Sequence, residues 1–213
     1  MVALIATILI FFLGMVWPIP QPQVTSLGSQ YDNTTRTIQN INSTSTGGVP
    51  PALIIWGIIV ANNIKLAILD VIPVFGAFVF SISMFSTGRL LQAAVLSGSL
   101  SATNTISIGA TLFLFPHTIL EFSAYALAFS SSVVFIWSLR DKGSRQQALI
   151  NYFVAIAATV FLVIIAGAFE ASLFMSPILS VFLWFPVIYV AFWLRKKYHG
   201  NLADAKLQDE TLK

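Results

Sequence analysis

Residues 112–125 read LFLFPHTILEFSAY, which sets a histidine and a glutamate, His117 and Glu121, inside otherwise apolar sequence. Proline lacks a backbone donor and disfavours helix at the residue before it, so Phe115-Pro116 is expected to end one helix and begin another. His117 and Glu121 are four residues apart and would then share one face of the second helix. Ionisable groups at membrane depth are costly unless they meet partners or water, so such a face must turn toward protein or a cavity. Two readings stay open. In one, the pair belongs to a functional site. In the other, Pro116 and His117 mark an ordinary helix start at the membrane surface, with Glu121 favoured by the positive end of the helix dipole.

The other polar side chains within apolar runs are Asn62, Asn63, Lys65, Asp70, Asn104, Tyr125 and Glu170. From these the candidate intramembrane site is Asn62, Asn63, Asn104, His117, Glu121 and Glu170. A histidine and two carboxylates could relay protons or hold a cation, whereas adjacent asparagines also serve to bond neighbouring membrane helices. The His-x-x-x-Glu spacing lacks the second histidine of a zinc protease motif, and the chain shows no Walker loop, dinucleotide fingerprint or nucleophile elbow. No catalytic residue, cofactor or metal ligand is therefore expected, and the reading is of a protein that is not an enzyme.

Composition defines the setting of these residues. Of 213 residues 57% are hydrophobic and 9% charged, with mean hydropathy +0.85. Long apolar runs recur along nearly the whole chain, the pattern of an all-α, multi-pass membrane bundle. The net charge is +3, with much of the basic charge in 140–145 and 195–213. Such clusters read as topology signals and attraction to anionic lipid, not as nucleic-acid binding. Absence of cysteine excludes disulfides and thiolate chemistry.

In chain order, residues 1–17 form an apolar N-terminal anchor, with a cleaved signal as the alternative, closed by Pro18, Pro20 and Pro22. Residues 18–50 are a polar loop rich in Ser, Thr, Asn and Gln, with two sequons at Asn33 and Asn42. Sequons are useful only outside, and the loop is nearly free of Lys and Arg, so it is expected to be external. The bundle occupies 51–197. Spans are expected at 52–72, 74–88, 119–139, 148–169 and 177–194, and the short, Gly- and Ser-interrupted segment near 100–116 has the character of a re-entrant piece with Asn104 near its tip. Basic residues at 140–145 and 195–197 place those segments inside. With the N-terminal anchor this makes about six crossings and a cytoplasmic tail, 198–213. His117, Glu121 and Glu170 then lie toward the outer side, Lys65 and Asp70 toward the inner.

The order of these pieces resembles the stage II sporulation protein M family. The residues that carry the resemblance are Asn62-Asn63, Asn104 with Gly109, the block Pro116-His117-Thr118-Ile119-Leu120-Glu121-Phe122-Ser123-Ala124, and Gly167-Ala168-Phe169-Glu170 with Ser176-Pro177. The Pro-His-x-x-x-Glu block is the most specific of them, and the resemblance covers about 54–193. The chain departs from the family's preferences at Thr105, Thr118 and Phe122-Ser123, positions where backbone shape is set. The resemblance implies an all-helical multi-spanning protein; in spore formers such proteins join a membrane complex with peptidoglycan-degrading partners. The family also occurs in organisms that form no spores, so that role is not carried over.

Two function classes follow. The favoured one is a membrane scaffold or complex subunit, in contact with the lipid bilayer and with protein partners or further copies of itself. The alternative is a small-ion or solute transporter or channel using the broken segment from Asn104 to Glu121.

Overall fold

The computed structural model describes residues 2–43, 50–101, 104–140, 143, 145–190, 192, 193 and 196. Thr44 of the second sequon, Asp141, Lys142 and Ser144 of the basic loop, Arg195, Lys197 and the tail 198–213 lie outside the described residues. Among those described there is no strand: the elements are α1 (Val2–Val16), α2 (Gln21–Ser43), α3 (Pro51–Val71), α4 (Phe75–Leu96), α5 (Thr105–Leu112), α6 (Pro116–Ser138), α7 (Arg145–Met175) and α8 (Pro177–Phe182). The bundle is all-α, as composition requires.

Prolines set several of the helix starts. Pro51 occupies the first turn of α3 and Pro116 that of α6, where a missing N–H costs nothing. Phe115, just before Pro116, is extended at φ −101° and ψ 132°, so the chain breaks between α5 and α6 where the sequence places the break. Ile72, ahead of Pro73, is also extended and closes α3. The reversal into α4 is tight. Val74 is held at φ 68°, a strained conformation for a β-branched residue. A Cβ on Gly76 would lie 2.0 Å from the Asp70 carbonyl oxygen, so only glycine fits there.

Segment 21–43, expected as loop, is the helix α2. Its buried positions, Val24 and Gly28, lie on a narrow stripe continued by the half-buried Tyr31, Ile38 and Ile41. The stripe packs on α4 and, through Ile38 and Ile41, on Ile55, Ile59 and Ala171. Tertiary contact thus makes a helix of a mean-polar segment. α1 and α2 meet at a bend of 117° across the Pro18–Pro20 turn, and both rest on α4. Arg89 of α4 braces the turn, donating to the Pro18 carbonyl at 3.3 Å and to Gln23 Oε1 at 2.6 Å.

Among the described residues four helical stretches are long and apolar enough to cross a membrane, Pro51–Val71, Phe78–Leu96, Pro116–Ser138 and Arg145–Phe174, or five with the bent α1–α2 pair. The six expected included 177–194, whose described part is not one helix: α8 ends at Phe182, a turn falls at Leu183, and helix resumes after it. Phe78, Ile82, Val134, Phe153 and Phe161 are exposed, as lipid-facing side chains are. The aromatic core joins Phe11 and Phe122 edge to face at 5.4 Å, with Phe113 set against both.

Candidate functional site

α3, α6 and α7 pack together along one seam, and Asn63, Glu121 and Glu170 meet there. Asn63 of α3 is buried, and its Nδ2 donates to Glu121 Oε1 of α6 at 2.5 Å. Glu121 is also hydrogen-bonded to the carboxyl group of Glu170, from α7. A hydrogen bond between two carboxyl groups needs a proton on one of them, so the pair shares a proton and Asn63 supplies a further donor. Asn62 turns its amide toward Asn63 Oδ1 at 3.4 Å, at the long end for a hydrogen bond, while most of the residue is exposed.

Helical spacing explains the convergence. His117, Glu121 and Tyr125 follow one another at intervals of four on α6, and Asn63 and Asp70 lie seven apart on α3. α7 runs antiparallel to both. Its Tyr152 hydroxyl donates to the Val71 carbonyl near one end of the seam, and Thr159 Oγ1 reaches the Ala124 carbonyl at 3.5 Å in the middle. Gly167 lets α7 approach α3, since a Cβ there would stand 2.6 Å from Val60 Cγ2.

Of the residues expected to form the site, Asn63, Glu121 and Glu170 are joined by hydrogen bonds, with Asn62 at their edge. His117 lies one turn before Glu121 and is buried, but its ring stacks on Phe115 at 5.9 Å and its Nδ1 has no hydrogen-bond partner. Asn104 has a different role. It is exposed and caps α5, its Oδ1 accepting from the Ser107 amide at 2.7 Å. Gly109, which accompanies it in the sequence pattern, packs α5 against Met15 of α1.

Sequence reasoning underrated Asp70 and Tyr125. Asp70, grouped there with Lys65 toward the inner surface, is 0% exposed, and neither carboxyl oxygen has a partner. Lys65 is exposed. Tyr125 is 3% exposed and lies one turn beyond Glu121 on α6. The available signals were the four-residue step from Glu121 to Tyr125 and the Asp70-x-x-Pro73 sequence at a helix end. Among the described residues no group of three or more His, Asp or Glu side chains has the geometry to hold a metal ion.

Apolar side chains turned outward and a closed polar seam within define a multi-pass membrane protein of the helical-bundle class. The family model for Stage II sporulation protein M matches residues 1–177. The chain belongs to that family, and the match takes in α1 and α2, which lie before the residues that carried the resemblance. No curated protein and no solved structure matches the chain.

Proposed function

We propose that this protein is a membrane scaffold or complex subunit, and the observation that carries the reading is the Asn63–Glu121–Glu170 network. It ties three helices by side-chain hydrogen bonds at a closed seam, the use of polar groups that fixes one packing of a membrane bundle. Three surface cavities of about 260, 430 and 300 Å³ are lined by other residues, none by Asn63, Glu121 or Glu170. A rigid bundle of this kind leaves α2, with its exposed Asn, Gln, Thr and Ser side chains, and the basic segments beyond the spans as the surfaces that meet partners. In this reading α2 and its sequons at Asn33 and Asn42 are external, the C-terminus is cytoplasmic, and no reaction is catalysed.

The test is purification of the intact protein from its native membrane in two mild detergents, followed by native mass spectrometry. A second polypeptide at the same fixed ratio in both supports the scaffold. A homo-oligomer alone in both overturns it.

A second reading, transport of a small ion or solute past the broken segment, is favoured by the arrangement at Phe113–Pro116. There the eight-residue α5 stops short and leads to a buried, unpartnered His117 Nδ1.

A further inference from the structure

The half of the α6–α7 hairpin that lies away from Glu121 carries a surface cavity of about 260 Å³, lined by α6 from Leu127 to Ser138 and by Ala148, Asn151 and Tyr152 of α7. Between Leu127 and Ser138 α6 rises by roughly 16 Å, about half the ~30 Å hydrocarbon thickness of a bilayer and so one leaflet deep. The serine hydroxyls along it are already engaged. Ser130 donates to the Ala126 carbonyl at 2.7 Å, Ser131 to that of Ala128 at 2.8 Å and Ser138 to that of Val134 at 2.8 Å. The Tyr152 hydroxyl donates to the Val71 carbonyl, and its ring stacks on Phe135 at 4.6 Å. Hydrocarbon can therefore lie against these walls without stripping a hydrogen bond. Val134 in the wall is exposed, as are Phe153 and Val154, which follow Tyr152, so the cavity opens toward lipid.

The end of the cavity at Ser138 has the opposite character. Arg145 opens α7, and with Ala148 and Tyr152 it recurs at steps of three and four, which puts it on the face of α7 that lines the cavity. Its Nε donates to the Leu139 carbonyl at 3.0 Å, across the turn that closes the hairpin, so one of its five N–H groups holds the guanidinium at the mouth. The Arg140 guanidinium lies 4.8 Å from the centre of the Trp137 ring, an exposed indole of the kind that sits at headgroup level. Both arginines are exposed. A slot one leaflet deep, walled by apolar groups and bonded hydroxyls and ending at two guanidinium groups, is complementary in shape and charge to an anion that carries a hydrocarbon chain.

We infer that this cavity is a binding site for an anionic phospholipid. One acyl chain lies along α6 between Leu127 and Ser138, and Arg145 and Arg140 hold the phosphate, the fork of Arg145 taking two of its oxygens at once. A zwitterionic lipid offers the same chain and phosphate but adds a cation beside them, which the two arginines repel. The site lies apart from Asn63, Glu121 and Glu170 and does not depend on the scaffold reading, which fails separately, on partner stoichiometry.

The experiment measures lipid binding to the full-length protein in a neutral mild detergent, by native mass spectrometry and by melting temperature, with dioleoylphosphatidylglycerol and dioleoylphosphatidylcholine as probes. Phosphatidylglycerol is expected to stay bound, one molecule per chain, and to raise the melting temperature, and phosphatidylcholine to do neither at the same concentration. Arg145→Gln should weaken phosphatidylglycerol binding by roughly tenfold, the size of one charge-assisted hydrogen bond. Lys65→Gln, which removes an exposed cation elsewhere, should leave binding unchanged. Ser131→Phe fills the cavity while keeping both arginines, and should release the lipid. Equal binding of the two lipids, equal losses in Arg145→Gln and Lys65→Gln, or undiminished binding in folded Ser131→Phe would overturn the proposal. So would a lipid-free homodimer that Ser131→Phe breaks apart, because a second copy of the chain would then fill the cavity. If Ser131→Phe does not fold, the two lipids and the contrast between Arg145→Gln and Lys65→Gln decide alone.

Discussion

Two seams hold this bundle, and they use opposite chemistry. Where α1 crosses α4, Gly14 faces the Phe85 backbone and Gly88 faces the backbone of Phe11, each so closely that a Cβ would lie 2.2 Å from a carbonyl oxygen. Neither contact uses a charged group; it is backbone against backbone, dispersion at short range, as between membrane helices with small residues. Where α3, α6 and α7 meet, the helices are instead joined by an amide, two carboxyl groups, a threonine and a tyrosine. The first seam tolerates no added volume and needs no particular protonation state. The second depends on polar side chains meeting their hydrogen-bond partners across the helices. One seam is fixed by close backbone approach and the other by side-chain hydrogen bonds, and substitutions should show the difference.

The largest effect is expected at the glycine seam. Gly88→Val forces backbone from backbone along α1, an overpacking cost of about 3 kcal/mol or more. The protein should lose its sharp size-exclusion peak and unfold at clearly lower temperature. A normal peak and melting temperature would show that α1 is not held by this approach. Next comes Asn63→Ala, which strips a donor from a buried carboxyl pair and should destabilise by about 2 kcal/mol. Asn62→Ala, one residue away and exposed, should change the melting temperature little. Equal effects at the two asparagines would mean that the network is not what joins α3 to α6.

How far this division could be read from sequence varies by residue. Apolar runs required a multi-pass bundle, and the Phe115-Pro116 pair located a break, because proline's missing donor acts locally and needs no tertiary information. The four-residue step from His117 to Glu121 put both on one face, and Glu170 meets Glu121, not His117, because α6 and α7 form an antiparallel hairpin. Asp70 was placed toward the inner end of its helix but left out of the candidate site, because its burial depends on the reversal at Val74 and Gly76, where α4 turns back against the end of α3. α2 was hidden for another reason. Its stripe of Val24, Gly28, Tyr31, Ile38 and Ile41 has helical spacing, but Asn, Gln, Ser and Thr dilute it, and only the partner surfaces on α4 and α3 make it stable. Asn104 was read as a site residue from its place before a short apolar segment, which is equally the place of a helix cap.

The third effect is smaller and opposite in sign. Asp70 satisfies no hydrogen bond, so Asp70→Val, close in size and apolar, should raise stability by about 1 kcal/mol, seen as a higher melting temperature in the same detergent. A lower melting temperature would mean that Asp70 holds the seam together through a bound group, a second tie beside the Asn63–Glu121–Glu170 network.

The smallest effect belongs to Asn104, outside both seams. Asn104→Ala removes the acceptor for the Ser107 amide and should cost about 0.5 kcal/mol, at the low end for an N-cap because the site is exposed. The loss should be confined to α5, whose eight residues carry few hydrogen bonds of their own. Hydrogen exchange should therefore quicken at the amides of 105–108 while Asn63, Glu121 and Glu170 keep their protection. If exchange also quickened across α6 and α7, Asn104 would be coupled to the polar seam through the break at Pro116, and α5 would belong with the polar seam and not with the apolar packing around Met15.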